Sequence, residues 1–248
     1  MKHIKQAYRS TYTGEAVITE LNFQGAKWNT TQEFVPNAVT NNQISNQACV
    51  IGNGISRKDF DLKLVFNHFG GLLKRYKLQV YGCNAIYRDY TPDFLIVTGD
   101  ADGIVKEIAN SGFCDANVVY ADAQHVKDFP GKFYMIPQDP AWNAGAMAAY
   151  LAAFDGHTTI YLLGFDGQDT DGYNYNVYAG TNGYQTAEHA QASPKFFELS
   201  MLEVFNTYPE VSFVRVMPSK YSTMPESWKY VTNLQQVSYG DFVLMSDL

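Results

Sequence analysis

Charge is scarce in this chain. Of its 248 residues only 17% are Asp, Glu, Lys or Arg, against ~25% in an average globular domain. The balance is acidic, −7 at neutral pH, and no dense Lys/Arg stretch offsets it. Lys74, Arg75 and Lys77 form a local basic patch, too small to grip a phosphate backbone, which needs clustered cations. Nucleic acid is therefore disfavoured as a partner. Cysteine is nearly missing. Cys49, Cys83 and Cys114 are odd in number and far apart, and no C-x-x-C pair offers a zinc site. Core thiols in a reducing compartment are the expectation. No apolar run approaches the ~18 residues that span a bilayer. The opening "MKHIKQAYRSTYTGEA" lacks the apolar centre of a secretory signal. Composition thus points to a soluble, cytoplasmic protein, with its oligomeric state open.

What the chain does have is apolar residues, 46% of the total, and 18 tyrosines. Residues 1–46 are rich in Asn, Thr and Gln, with one strand-like run at Ala16–Phe23. They read as a polar N-terminal arm or edge hairpin. From Gln47 the pattern changes. Apolar runs recur as "ACVIG", "LQVYGCN", "DFLIVTG", "NVVYA", "KFYMI", "TTIYLLG" and "VSFVRVM". Helical stretches fall between many of them. "ADGIVKEIANSG" puts Ile104, Val105 and Ile108 on one face, "WNAGAMAAYLAAFDG" is Ala-rich with a Gly stop, and "PKFFELSMLEVFNTYP" opens and closes on proline. Continuous apolar strands alternating with helices predict an α/β fold: a Rossmann-like, mainly parallel sheet with helices on both faces. The expected organisation is a main domain over 47–220, with 221–248 packed on it as an extension.

In such sheets ligands bind where strand C-termini open into loops, and several polar motifs fall there. Gly52-Asn53-Gly54-Ile55-Ser56 follows the first apolar strand. Glycine lets a ligand approach bare backbone, and Ser56 can cap the next turn. A lone G-x-G also closes an ordinary turn. The dinucleotide fingerprint is incomplete, because Lys58 and Asp59 stand where its third glycine belongs, and Asn84 lies where its acid belongs. That counts against an NAD-dependent oxidoreductase. Asn84 ends the next strand and can read a sugar or base edge, or simply close a turn. Asn143-Ala144-Gly145 starts the Ala-rich helix, where free N–H groups favour a phosphate; an Asn N-cap with small packing residues is the plainer reading. Asp166 follows "TTIYLLG", as a ribose-binding or orienting acid would. A Gly-, Asn- and Tyr-rich segment after it is long enough to serve as a lid. His189 can accept a proton near neutral pH, although a lone loop histidine is commonly a surface residue. Asp100/Asp102 and Asp169/Asp171 are D-x-D pairs that could hold Mg²⁺ or Mn²⁺ against a diphosphate, or be accidents of Asp-rich loops.

Taken in order, four segments resemble one family. "VIGNGISRKDFD", "VYGCNAIY", "NAGAMAAYLAAFDGHTTIYLLGFD" and "EHAQASPKFFELSMLEVFNTYPEVSFVRVMPS" are similar to stretches of bacterial lipooligosaccharide sialyltransferases and of the related domain in motility-associated flagellin glycosylation factors. The resemblance implies a GT-A-type variant of the Rossmann-like fold and an inverting transfer of a sugar from a nucleotide-activated donor, CMP-type favoured. The acceptor would be a hydroxyl on a glycan, a protein or another molecule. By position, Gly52, Asn53, Gly54, Ser56, Asn84, Asn143, Ala144 and Gly145 would hold the nucleotide. Asp166 would sit beside the donor, Tyr175 would support the departing phosphate and His189 would be the general base. No cofactor is implied and a metal is not favoured. Ala144 stands where the family has a serine, and Gly167-Gln168 where the sialyltransferases have aromatics. These departures leave the donor sugar and nucleotide open. They also leave an alternative, a nucleotide or nucleotide-sugar binding module without turnover.

Overall fold

Each apolar run of the main domain forms a strand, and alternate residues of each strand face opposite sides. In the computed structural model the described residues are 2–7, 15–36, 45–66, 69–70, 75–76, 78–98, 103–138, 140–167, 176–184, 186 and 194–248. The strands are β1 (Lys2–Ala7), β2 (Glu15–Gln24), β3 (Lys27–Pro36), β4 (Gln47–Ile51), β5 (Phe69–Gly70), β6 (Arg75–Tyr76), β7 (Gln79–Cys83), β8 (Phe94–Val97), β9 (Val118–Ala121), β10 (Tyr134–Met135), β11 (Thr159–Leu163), β12 (Ser212–Met217) and β13 (Leu234–Ser238). The helices are α1 (Lys63–Phe66), α2 (Ile104–Asn110), α3 (Phe113–Ala116), α4 (Ala123–Asp128), α5 (Ala144–Phe154), α6 (Pro194–Thr207) and α7 (Tyr239–Ser246).

Eight strands form one sheet in the order β10-β9-β8-β7-β4-β11-β12-β13. Every neighbouring pair is parallel. Parallel strands need crossovers, and these cover both faces, so the strands can be apolar on both sides. Cys49 and Ile51 of β4 point into one core with Val105, Ile108 and Phe242 of α2 and α7. Ala48 and Val50 point into the other, with α5 and Met201, Val204 and Phe205 of α6. This is a doubly wound, Rossmann-like α/β fold. Helix α5 is buried almost all round. A helix apolar on every side belongs inside a core, and its alanines let it lie close against β4, β7 and β8.

The last segment of the chain is integral to this sheet. β13 pairs in parallel with β12, from Phe213↔Leu234 to Met217↔Ser238, and α7 starts at once on a capping box built by Ser238 and Asp241. At the other end of the chain, β1, β2 and β3 form a separate antiparallel sheet. Leu21 of β2 is fully buried in the main core, with Ile4 and Trp28 packed beside it. Of the thiols, Cys49 and Cys83 are buried, and burial pushes the Cys83 thiol up to about 12, which keeps it protonated and inert at neutral pH. Among the described residues no helix is long and apolar enough to cross a membrane.

Candidate functional site

The chain runs from β4 outward to β10 on one side, then crosses back to β11 on the other side of β4. The strand order therefore reverses between β4 and β11. Such a switch point opens a crevice at the strand C-termini, the usual ligand position in this class of sheet. Gly52–Ser56 leaves β4 there, and Gly164–Gly167 leaves β11.

These two turns are packed on each other. Gly52 N–H donates to the Leu163 carbonyl at 2.8 Å, and Gly54 N–H to the Gly164 carbonyl at 3.0 Å. A Cβ on Gly52 would lie 2.6 Å from the Gly164 oxygen; one on Gly54 would lie 2.5 Å from that oxygen and 2.6 Å from the Asp166 carboxylate. What approaches bare backbone at Gly52 and Gly54 is thus the chain's own β11 turn. Gly164 takes a left-handed φ of +71° to make that turn. Asp166 completes the contact. Its Oδ2 accepts from Ser56 N–H at 2.9 Å and its Oδ1 from the Ser56 hydroxyl.

Asn53 is also engaged internally. Its Nδ2 donates to the Cys83 carbonyl at 3.2 Å and the Tyr184 hydroxyl at 3.3 Å. Its Oδ1 accepts from Arg57 at 3.2 Å, and its carbonyl from Val177 N–H at 2.8 Å. Asn84 adopts φ +48°, a left-handed conformation that Asn tolerates better than most residues. There its Oδ1 receives Thr98 N–H at 3.3 Å, tying the ends of β7 and β8 together. Asn53 and Asn84 thus stitch strand ends, and both sit on the rim that carries Asp166.

Asn143 is the N-cap of α5, with its Oδ1 accepting Ala146 N–H at 3.1 Å. Its amide nitrogen is buried without a hydrogen-bond partner among the described residues. Ala144 is buried. Gly145 borders the β11 turn: a Cβ there would meet the capping Asn143 Oδ1 at 3.4 Å, Phe165 at 3.5 Å and Phe197 at 3.6 Å, ordinary contact distances. Unlike Gly52 and Gly54, Gly145 is not required by the packing. Tyr175, His189 and both D-x-D pairs (Asp100/Asp102, Asp169/Asp171) lie outside the described residues. Among the described ones, no cluster of His, Cys, Asp or Glu is placed to hold a metal.

Residues that the sequence reading passed over hold this rim together. Arg57, only 4% exposed, bonds the Gly52 carbonyl at 2.9 Å and lies 5.1 Å from the centre of the Tyr178 ring. Arg215, fully buried on β12, donates to the carbonyls of Phe165 and Asp166 and so fixes the β11 turn from beneath. The one available signal was a cation inside the apolar run "VSFVRVM", since arginine is almost never buried without a polar task.

Residues 176–184 lie across the ends of β4 and β7. Asn176 bridges to Gly54. The Tyr184 hydroxyl accepts from Ala85 N–H at 3.3 Å, and the Tyr178 hydroxyl donates to Asp89 at 2.6 Å. A clamp fastens the far end. Arg88 grips Glu107 with two bonds of 2.8 Å and also reaches Thr181 and the Asn182 carbonyl, while Tyr87 and Asn182 donate to the same carboxylate. The Arg88 bonds, then those from Tyr87 and Asn182, hold the Glu107 carboxyl down at about 2. A depressed carboxylate stabilises the fold fully above its unfolded value of 4.5. That contribution is lost as the pH falls toward the folded value. Glu107→Gln should therefore cost about 1–2 kcal/mol at pH 7, the range of a partly exposed charged hydrogen bond. The thermal midpoints of variant and wild type should converge between about pH 4.5 and pH 2; a gap constant across that window would refute the clamp.

No protein-family model and no curated protein matches the chain. Among solved structures, a variant of the PilB minor pilin from Streptococcus sanguinis aligns at 10% identity with a TM-score of 0.28, covering 100% of this chain and 78% of that one. So low a score supports no conclusion about fold or function.

Proposed function

We propose that the C-terminal rim of the parallel sheet binds a nucleotide-activated sugar, CMP-type favoured, and that the protein is an inverting glycosyltransferase on a GT-A-type variant of the fold. The acceptor is a hydroxyl of a glycan, a protein or another molecule. The observation that carries this reading is the start of α5. An eleven-residue helix presents its N-terminus beside the switch-point turn, with a buried Asn143 amide that has no hydrogen-bond partner among the described residues and a Gly145 where a Cβ would make only ordinary contacts. Free N–H groups and the helix dipole there suit a phosphate.

The chemistry follows. Breaking a sugar–phosphate bond puts negative charge on the leaving phosphate. N–H donors at a helix start, with the Tyr175 hydroxyl, stabilise that charge. His189 deprotonates the acceptor as it attacks. In sequence both residues fall in the connection between β11 and α6. Asp166 has both carboxylate oxygens bound by Ser56, so its part is to hold the rim's shape beside the donor. The same inward engagement of Asp166 and Asn53, with Ala144 at the helix start, favours a second reading: a nucleotide or nucleotide-sugar binding module without turnover.

Gly145→Ala tests the site. Within a helix, Ala is favoured over Gly by up to about 1 kcal/mol, and the space accepts a Cβ. The variant should therefore fold with unchanged or slightly raised stability and bind the nucleotide at least about tenfold more weakly, or 1.4 kcal/mol. The assay is thermal shift against CMP-, UDP- and GDP-sugars, in which a ligand that binds only the folded state raises the melting temperature. Unchanged affinity in Gly145→Ala would remove the α5 N-terminus from the site. No shift with any nucleotide would remove the function. Release of free nucleotide by the wild type selects the transferase; binding without release selects the module.

A further inference from the structure

The antiparallel sheet at the start of the chain contributes none of the rim residues named above, and among the described residues one of its edges is uncovered by any strand. β3 pairs with β2 along its whole length, from Gln24↔Lys27 to Glu15↔Pro36, with no bulge. Among the described residues no strand pairs with its outer side. The hairpin turn Gly25-Ala26 has positive φ at both positions, as a two-residue type I′ turn requires. Such a turn is closed by a hydrogen-bonded pair, here Gln24↔Lys27. Pairs then alternate along the ladder, so Lys27, Asn29, Thr31 and Glu33 bond inward to β2. Trp28, Thr30 and Gln32 point their N–H and C=O groups outward. Pro36 has the outward parity, so its missing N–H costs β2 nothing, as expected of an edge strand.

Natural edges are usually blunted by charge, proline or a bulge. β1, the other edge, follows the rule with Lys2, His3 and Lys5. β3 does not: the stretch Trp28–Gln32 carries no charge, and Asn29, Thr30 and Thr31 are exposed. Its only charged residues, Lys27 and Glu33, are both exposed and lie equally far from Thr30, one on each side.

We infer that β3 is a self-association edge, on which a second copy of this chain adds its own β3 antiparallel about a two-fold axis at Thr30. That register sets Lys27 of each copy opposite Glu33 of the other, Trp28 opposite Gln32 and Asn29 opposite Thr31. It also satisfies the ladder parity, because Thr30↔Thr30 and Trp28↔Gln32 pair residues whose backbone groups both face outward. The two three-stranded sheets become one continuous sheet, joined by about six backbone hydrogen bonds. Shifting the register by two residues keeps the parity but breaks the Lys27–Glu33 pairing. An isologous contact of this kind closes on itself and gives a dimer rather than a fibre.

Sedimentation velocity on the full chain, at low salt and up to about 100 µM, tests the inference. The wild type should show a concentration-dependent dimer. Lys27→Glu, which sets Glu against Glu33, should weaken it at least about tenfold, and the double swap Lys27→Glu with Glu33→Lys should restore it to within about threefold of wild type. Thr30→Pro removes an outward N–H and should abolish the dimer while leaving the monomer's melting temperature nearly unchanged. A wild type monomeric throughout, a dimer indifferent to Thr30→Pro, or a double swap no better than Lys27→Glu would each overturn the inference.

Discussion

Arg215→Met is expected to destabilise the protein by about 3–5 kcal/mol, because each buried acceptor left without a donor costs about 1–3 kcal/mol. The guanidinium donates to the carbonyls of Phe165 at 2.7 Å, Asp166 at 2.5 Å and Thr223 at 2.8 Å, and to Gln236 Oε1 at 2.5 Å. It also lies against the Trp228 ring, 5.7 Å from its centre. No carboxylate forms an ion pair with it among the described residues. Burial lowers its pKa to about 10, so it stays charged at neutral pH and is held by oriented carbonyl dipoles. Methionine fills much of the volume and supplies no donor, stranding the acceptors that the guanidinium serves. Arg215→Lys should recover only part of the loss, since an ammonium cannot span that planar fork of acceptors. Equilibrium unfolding in urea measures both. A loss below about 1 kcal/mol for Arg215→Met would mean that water or a rearranged Gln236 serves these carbonyls equally well.

Gly54→Ala is expected to cost about 3 kcal/mol, the upper part of the range for overpacking a closed interior. The added methyl would sit 2.5 Å from the Gly164 carbonyl and 2.6 Å from the Asp166 carboxyl carbon. Neither atom is the free end of a flexible chain. The carbonyl belongs to a turn fixed by Arg215, and the carboxylate is bound by Ser56. The two turns must part, and the Ser56–Asp166 contact opens with them. The same chemical change at Gly145 has the opposite sign, since that position has room. Unfolding midpoints of the two variants, measured side by side, should therefore fall on opposite sides of wild type or with Gly145→Ala level with it. A Gly54→Ala protein as stable as wild type would show that the turns are not in contact in solution.

The order of elements in the main domain could be read from the chain. "ACVIG", "LQVYGCN", "FLIV" and "TIYLL" are short apolar runs too continuous for a half-exposed strand, and they alternate with helices closed by glycine or proline. That pattern has few solutions other than a covered parallel sheet, because only crossover helices can hide both faces. The polar residues at strand ends, Asn53, Asn84 and Asp166, were visible for the same reason: they stand where apolar runs stop. β1, β3 and β13 were not visible. "LQQVS" alternates weakly, β1 ("KHIKQA") is mostly polar and basic, and β3 is Thr- and Asn-rich. Each is a strand because a neighbour offers it a ladder: β1 and β3 lie on the two sides of β2, and β13 lies on β12.

By itself, then, the sequence determined the class of fold, the rim on which polar motifs gather and the glycines that rim requires. Local residue patterns encode these directly, through burial on two faces and breaks at strand ends. Only the tertiary structure decided what meets those glycines. The reversal of strand order between β4 and β11 is a long-range choice. It brings Gly164 and Asp166 against Gly52 and Gly54 and turns Asn53 inward, while leaving the start of α5 with a buried donor that no described residue engages. No local pattern carries that information, because the two turns are about 110 residues apart in the chain and meet only once the whole sheet has closed between them.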